Sequence, residues 1–588
     1  DGTWNRALIK LDDRNPMLSN SYNFKREYAT RSFNTVYASF DIWKGIKFAS
    51  TFSYDFVMNK SRAWKDPRTS DGDDDNGRFS KDYNDITNMT WSNILTYQTK
   101  IKKKHNLDLL VGYEINSKES DGLGTTISNF ARWDKPEVNN GVVYQSMGGS
   151  NSTTRIVSYI TRANYDYDNK YYLGASWRTD GSSRLARENR WGNFWSLSGA
   201  WRVSSESFMK PLQNWLSDLK LRVSYGVNGT LPSSYYGYMG LSSLTSNYND
   251  NPGITQSQLK NKELTWETNY NFNSGIDLGF FDNRLNVTFE YYVRTTKNLL
   301  YSRPLSLATG FSSYLANIGK LQNKGYELEI RSTNIETKDF RWSTSLNLGH
   351  NANKILKLDG DLKQVTSGTS IHKVGLPYST YYMIEFAGID PVDGEPMFYK
   401  NTTDENGNLN KETTKDPRSA EKVILQCADP TITGGLGNSI SYKWFDLNFN
   451  VNFSFGAWNY DGSASKLEHG GDGTLNIPIY YRKRWQKEGD ETSIERFVVG
   501  RSISMTDYAT TRRLYSGDYV RLKNLTFGFT LPKTWTRKVG IDNIRLYASG
   551  NNLLTWAAYD YIDPESGSSP SWDTPPMRTY TFGLEVKF

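Results

Sequence analysis

Five carboxylates, Glu267, Asp277, Glu290, Glu327 and Glu329, stand on the polar side of long alternating segments. Paired carboxylates can hydrolyse a glycosidic bond, one protonating the leaving oxygen while the other attacks or activates water. Their regular spacing on polar faces reads instead as lumen lining, which tunes what passes a barrel without reacting with it. Four histidines (His105, His350, His372, His469) show no HExxH or paired spacing, and Cys427 has no nearby His. Neither metal ligation nor an activated nucleophile has a basis there. The acidic run Asp71-Gly-Asp-Asp-Asp-Asn-Gly77 fails the EF-hand pattern. That loop wants Gly at its sixth position and Glu at its twelfth, and these are Asn76 and Asp82. It reads as a solvated outer loop, with a structural calcium ion as the other reading, and no further cofactor is expected. Gly434–Asn438 (GGLGN) is glycine-rich but precedes no helix, so it cannot cradle a phosphate at a helix N-terminus. No catalytic residue and no metal ligand is assigned, and the chain is not expected to be an enzyme.

Binding chemistry is better represented. Aromatics make up 14% of the chain, and many fall in long polar connections. Trp64, Trp133, Tyr144, Tyr235, Tyr236 and Tyr238 are candidates for contact with cargo, as are Tyr248, Tyr378, Tyr381, Tyr382, Trp458 and Tyr460. An aromatic face beside Asn or Asp suits sugar rings and peptide side chains alike, while loop packing is the plainer use of the same residues. Trp342 and Trp556 lie near strand ends on apolar faces and read as membrane-interface girdle.

The elements that position these residues are strands. Residues 445–456 set Phe445, Leu447, Phe449, Val451, Phe453 and Phe455 against Asp446, Asn448, Asn450, Asn452, Ser454 and Gly456. Residues 46–58, 264–280 and 580–588 alternate in the same way. Period two marks a strand with one apolar and one polar face. Several of these segments run past ten residues, beyond the usual soluble strand and long enough to cross a bilayer when tilted. Seventeen strands are expected, from 32–42 through 46–59, 88–101, 107–120 and 154–167 to 543–556 and 578–588. Their connections alternate short (43–45, 102–106, 168–170, 282–283, 336–339) and long (60–87, 121–153, 231–263, 356–430, 461–516, 557–577). Short turns at one end and long loops at the other are the pattern of an outer-membrane barrel. Only the short-side connection 206–218 has a helical look.

Composition narrows the alternatives. Mean hydropathy is −0.66, and no apolar run is long enough for a transmembrane helix. One cysteine excludes an internal disulfide framework. A net charge of +7 over 588 residues is too dilute to argue for nucleic acid. Loop 356–430 carries eight Lys and Arg against twelve Asp and Glu, about −4, and a connection of that length is usually functional. Both the first and last strands run from the long-loop end to the short-turn end, so the count is odd. An open edge cannot stand in lipid, and bacterial barrels have even counts. An odd number of further strands is therefore expected from elsewhere, most simply from an N-terminal portion of the same protein.

Particular stretches carry a family resemblance. ASWRTDGSSRLARENRWGNFWSLSGAWRVSSESFM (175–209), LKLRVSYGVNGT (219–230) and LLYSRPLSLATGFSSYLANIGKLQNKGYELEI (299–330) are three of them. GIDPVDGEPMFY (388–399), YVRLKNLTFGFTLP (519–532), IRLYASGNNLLTW (544–556) and the terminal Phe588 complete the set. In combination they resemble the C-terminal part of the SusC/RagA-like TonB-dependent outer-membrane transporters of Bacteroidetes. The resemblance implies a transmembrane antiparallel β-barrel of 22 strands, of which about 17 lie here, with an N-terminal plug outside this sequence. It implies residues 1–31 as an outer loop and 32–588 as barrel, with 356–430 and 461–516 as contacts for a SusD-like surface lipoprotein. It also implies import of oligosaccharides or peptides across outer-membrane lipid, driven by TonB acting on the plug. A passive porin or adhesin, or a secreted glycan-binding protein, would share parts of the strand pattern.

Overall fold

The computed structural model describes residues 16–244, 247–249, 251–358, 362–404, 408–471, 477–499, 508–559, 561–566 and 575–588. Parts of the expected outer segments, including 1–15, 472–476, 500–507 and 567–574, lie outside the described residues. Among the described residues seventeen strands belong to one sheet, and each matches one strand expected from alternation. Among the described residues no helix is long and apolar enough to cross a membrane, which says nothing of strands.

Contacts divide the chain into two units. The first comprises Asp1–Ser198, Gly226–Tyr270 and Lys297–Ile318. Its ladder runs antiparallel through Phe24–Trp43, Ile46–Lys65, Arg78–Ile101, His105–Phe130, Gly141–Tyr167 and Tyr171–Ser182. The register puts Phe52, Trp91, Ile115 and Val157 in one row and Thr51, Ser92, Glu114 and Ser158 in the adjacent row on the opposite face. Phe52 and Trp91 remain exposed, as side chains meant for lipid must be in an isolated chain.

These strands are longer than alternation suggested. The first begins at Phe24 rather than 32, so 24–31 belongs to the ladder and not to an outer loop. The segment 60–87 shrinks to a connection between Lys65 and Arg78, and 121–153 to one between Phe130 and Gly141. The reason is solvation. Beyond the lipid belt nothing imposes strict alternation, so apolar residues become scattered, Phe79, Ile127 and Phe130 packing with Trp64 in a small cluster, while the ladder hydrogen bonds continue. The short turns are tight: at Gly45 (φ +79) a Cβ would stand 2.2 Å from the Gln98 carbonyl oxygen.

The second unit comprises Gly199–Tyr225, Asn271–Thr296 and Gly319–Phe588. Its ladder runs through Lys320–Glu336, Phe340–Lys357, Ile432–Tyr442, Phe445–Phe455, Tyr519–Thr530, Asn543–Ala557 and Thr579–Lys587. Leu346, Leu436 and Val451 share one face; Asn347, Gly435 and Asn452 share the other. The connection that looked helical holds 3₁₀ turns at Val203–Ser205 and Ser207–Leu212. Buried apolar clusters sit largely among the long connections: Leu185, Leu264 and Trp266 in the first unit, and Tyr381, Met383 and Leu514 in the second.

Candidate functional site

The polar face of the second unit walls a cavity of about 960 Å³. Glu290, Glu327, Glu329, Arg331, Asn347 and Asn452 line it. Arg222 reaches Asp277 at 2.9 and 3.1 Å and Glu290 at 2.6 Å, and the Thr288 hydroxyl donates to Asp277 at 3.1 Å. Glu329 pairs with Arg331 at 2.5 Å. Four of the five expected lumen carboxylates thus belong to this wall or its ion pairs. Glu267 stands apart, in the first unit, where its Oε2 accepts from the Leu300 backbone N–H at 3.1 Å. A wall alternating acid, guanidinium and amide can hold polar cargo by exchangeable hydrogen bonds.

The outer aromatics divide by what covers them. Trp64 is 2% exposed, edge-on to Phe130 at 4.9 Å, and its indole N–H donates to Asp66. The Tyr236 hydroxyl accepts from the Thr153 N–H at 3.0 Å, Tyr235 lies under the Arg184 guanidinium at 4.3 Å, and Tyr238 packs on the Leu264–Trp266 cluster. Tyr381 is buried, its hydroxyl accepts from the Tyr460 N–H at 3.2 Å, and Trp458 and Tyr460 pack around it. Tyr382 is half-buried and pairs with Ile424. Tyr378 stacks on His372 at 4.1 Å. Trp133, Tyr144 and Tyr248 keep large exposed faces. Trp133→Ala and Tyr144→Ala are therefore expected to leave barrel stability within about 0.5 kcal/mol of the parent, read as the heat-resistant folded band on a gel. A larger loss would show that these rings hold the outer loops together.

Two aspartates of the acidic loop face the chain's own cations. Asp71 pairs with Lys65 at 3.1 Å and Asp75 with Arg78 at 3.2 Å. Among the described residues, no group of three or more His, Cys, Asp or Glu is placed to hold a metal ion.

The described parts of loops 356–430 and 461–516 form one lobe. Ile384 bridges Thr510, the Phe386 N–H donates to the Thr511 hydroxyl at 3.0 Å, and Arg496 pairs with Glu395 at 2.7 Å. The Trp485 indole donates to the Pro391 carbonyl at 3.0 Å. Under these contacts lies an ion network that no sequence spacing announced. Glu495 is 0% exposed and pairs with Arg512; Arg513, 1% exposed, faces Glu468 at 3.4 Å. The Tyr481 hydroxyl donates to Glu495 at 3.1 Å and that of Tyr480 to Glu468 at 2.5 Å. Burial, then the Glu495 charge, pushes the Tyr481 phenol up, keeping it a donor. Burial alone would lower the Arg512 pKa, but Glu495, Tyr481 and Glu468 together more than offset it and the guanidinium stays protonated.

A meander of long strands, apolar on the face left bare and polar on the face that walls a cavity, with polar loops at one end, defines a membrane β-barrel. The chain belongs to the TonB dependent receptor-like, beta-barrel family, whose model matches residues 1–553. It is an outer-membrane protein of the SusC/RagA-like type. It is 31% identical to TonB-dependent receptor P3 of Formosa agariphila, over 100% of this chain and 61% of that protein. It is 30% identical to TonB-dependent receptor SusC of Bacteroides thetaiotaomicron, over 74% of this chain and 44% of that protein. The structure of the RagAB peptide transporter superposes with a TM-score of 0.89 at 26% identity, covering 100% of this chain and 65% of that one. The chain thus spans about three-fifths of the length of the P3 receptor.

Proposed function

We propose that the protein takes part in active import of an oligomeric polar nutrient, peptide or oligosaccharide, across the outer membrane. The observation that carries this reading is the 960 Å³ cavity on the polar wall, in a chain akin to SusC and the RagAB peptide transporter. The barrel supplies a fixed polar wall and performs no covalent chemistry. The lobe built from 356–430 and 461–516 offers a firm rim on which a SusD-like surface lipoprotein docks as a lid. Energy comes from TonB acting on a plug region N-terminal to the barrel strands.

The test is native mass spectrometry of the complex extracted in detergent from the outer membrane. A lipoprotein partner and retained peptide or oligosaccharide mass support import. A partnerless species that passes polar solutes without TonB would sink it in favour of a passive pore. Glu327 gives a finer prediction. It lines the cavity, and one unit charge across about 4 Å of water is worth about 1 kcal/mol. Glu327→Gln should weaken uptake of cationic cargo about fivefold and leave neutral cargo unchanged; uptake assays with paired Lys- and Gln-containing peptides read it.

A further inference from the structure

Three neighbouring short turns of the first unit concentrate positive charge. The stretches 41–47, 100–105 and 166–171 hold seven lysines and three aspartates, a net +4 in a chain of +7. The turns are tied together: the Gln98 N–H donates to the Gly45 carbonyl at 2.8 Å and the Asp168 N–H to the Lys104 carbonyl at 2.7 Å. Asp41 faces Lys47 across the ladder, and Asp168 lies 3.7 Å from Lys104. Among the described residues Lys44, Lys100, Lys102 and Lys103 form no ion pair, and all four are exposed.

The backbone makes a second, independent point. Lys102 and Lys103 both sit in the left-handed region, at φ +49 and +61. That conformation favours Asn, Asp and Gly and is strained for other residues. Elsewhere the chain fills this region mostly with tolerant residues, as at Asp168-Asn169 and Asp282-Asn283, though Phe281 and Lys443 also adopt it at φ +52. At 102–103 it accepts strain and keeps two lysines at the tip. Residues that break a local rule in this way mark a function.

Below the tips the lateral face is aromatic. Ile101, His105, Tyr167 and Tyr171 follow one another across the register, with rings 5.0 Å apart for His105–Tyr167 and 6.3 Å for Tyr167–Tyr171. Trp43 is 76% exposed at the next turn. Aromatic rings topped by lysines match the boundary between acyl chains and charged headgroups. A polysaccharide surface would not call for Ile101 and Trp43 on the same face. In outer-membrane barrels short turns face the periplasm.

We propose that this ledge binds anionic phospholipid headgroups of the periplasmic leaflet, with Lys44, Lys102 and Lys103 meeting the phosphates and Trp43 and Tyr171 seating the glycerol region. The site is independent of what the barrel imports.

The test uses the intact protein in detergent, titrated with phosphatidylglycerol or phosphatidylcholine, with bound lipids counted by native mass spectrometry. The double variant K102N/K103G removes both charges and relieves the turn, so the folded fraction on a heat-resistance gel should hold or rise. Phosphatidylglycerol affinity should fall roughly thirtyfold, about fivefold per lysine, while phosphatidylcholine binding stays as it was. Unchanged phosphatidylglycerol retention in K102N/K103G, or no preference between the two lipids in the parent, would overturn the proposal. So would capture of anionic peptidoglycan fragments in place of lipid, measured in the same titration.

Discussion

Glu495→Ala is expected to loosen the outer lobe by about 3–5 kcal/mol while leaving the strand ladder intact. The carboxylate is fully buried and holds Arg512 in an ion pair, with the Tyr481 hydroxyl donating to it. Removing it strands a protonated guanidinium beside one remaining acid, Glu468, at 3.7 Å. The penalty is mostly that of an unpaired buried charge, not the net strength of the pair. A joint replacement of Glu495, Arg512 and Tyr481 by apolar residues of similar volume should therefore be much milder than the single change. Hydrogen exchange separates lobe from barrel, because local opening reports its own free energy. Amides in 479–499 and 508–516 should lose about two to three orders of magnitude of protection, and those in 432–455 should not move. Unchanged lobe protection would mean that the loop contacts at Ile384–Thr510 and Trp485–Pro391 suffice without the charges.

The network also bears on mechanism. For the docking role proposed above, a rim must keep its shape while a partner moves, and a buried network of ion pairs and hydrogen bonds is stiff. Its members come from positions 468, 480, 481, 495 and 512–513, separated by intervals that match no helical or strand period. No sequence rule could have gathered them. The strands were legible for the opposite reason: inside the bilayer one face meets lipid and the other meets water, so Phe445 to Phe455 alternate without a break. The signal failed where its cause ended. Residues 78–87, 121–130 and 141–153 continue the ladder with apolar residues only scattered among polar ones, and they read as loop. The aromatics failed differently. Trp64 and Trp133 both lie in polar segments, yet one is sealed against Phe130 and the other is open. Only tertiary packing separates them. Parity groups Asp277, Glu290, Glu327 and Glu329 on the cavity wall or in its ion pairs, while Glu267 turns to a backbone N–H where its strand meets a hairpin.

Parity can be tested with two adjacent residues. Phe449 lies opposite Leu525 on the apolar face, in a strand whose apolar neighbours are Leu447 and Val451. Asn450, the next residue, lines a polar cavity of about 330 Å³ with Ser345 and Asn448. Phe449→Arg places a guanidinium in hydrocarbon near the middle of the span, at a cost of about 2–4 kcal/mol. Asn450→Arg places the same group among Asn and Ser side chains and water, where it can be solvated. The expected result is a strong drop in heat-resistant barrel in outer-membrane fractions for Phe449→Arg and near-parental levels for Asn450→Arg. Both variants place the same charged side chain at neighbouring positions of one strand, so their difference reports which face meets lipid. Equal losses would mean that crowding governs the outcome, and a larger loss for Asn450→Arg would reverse the assignment of the two faces throughout the second unit's ladder.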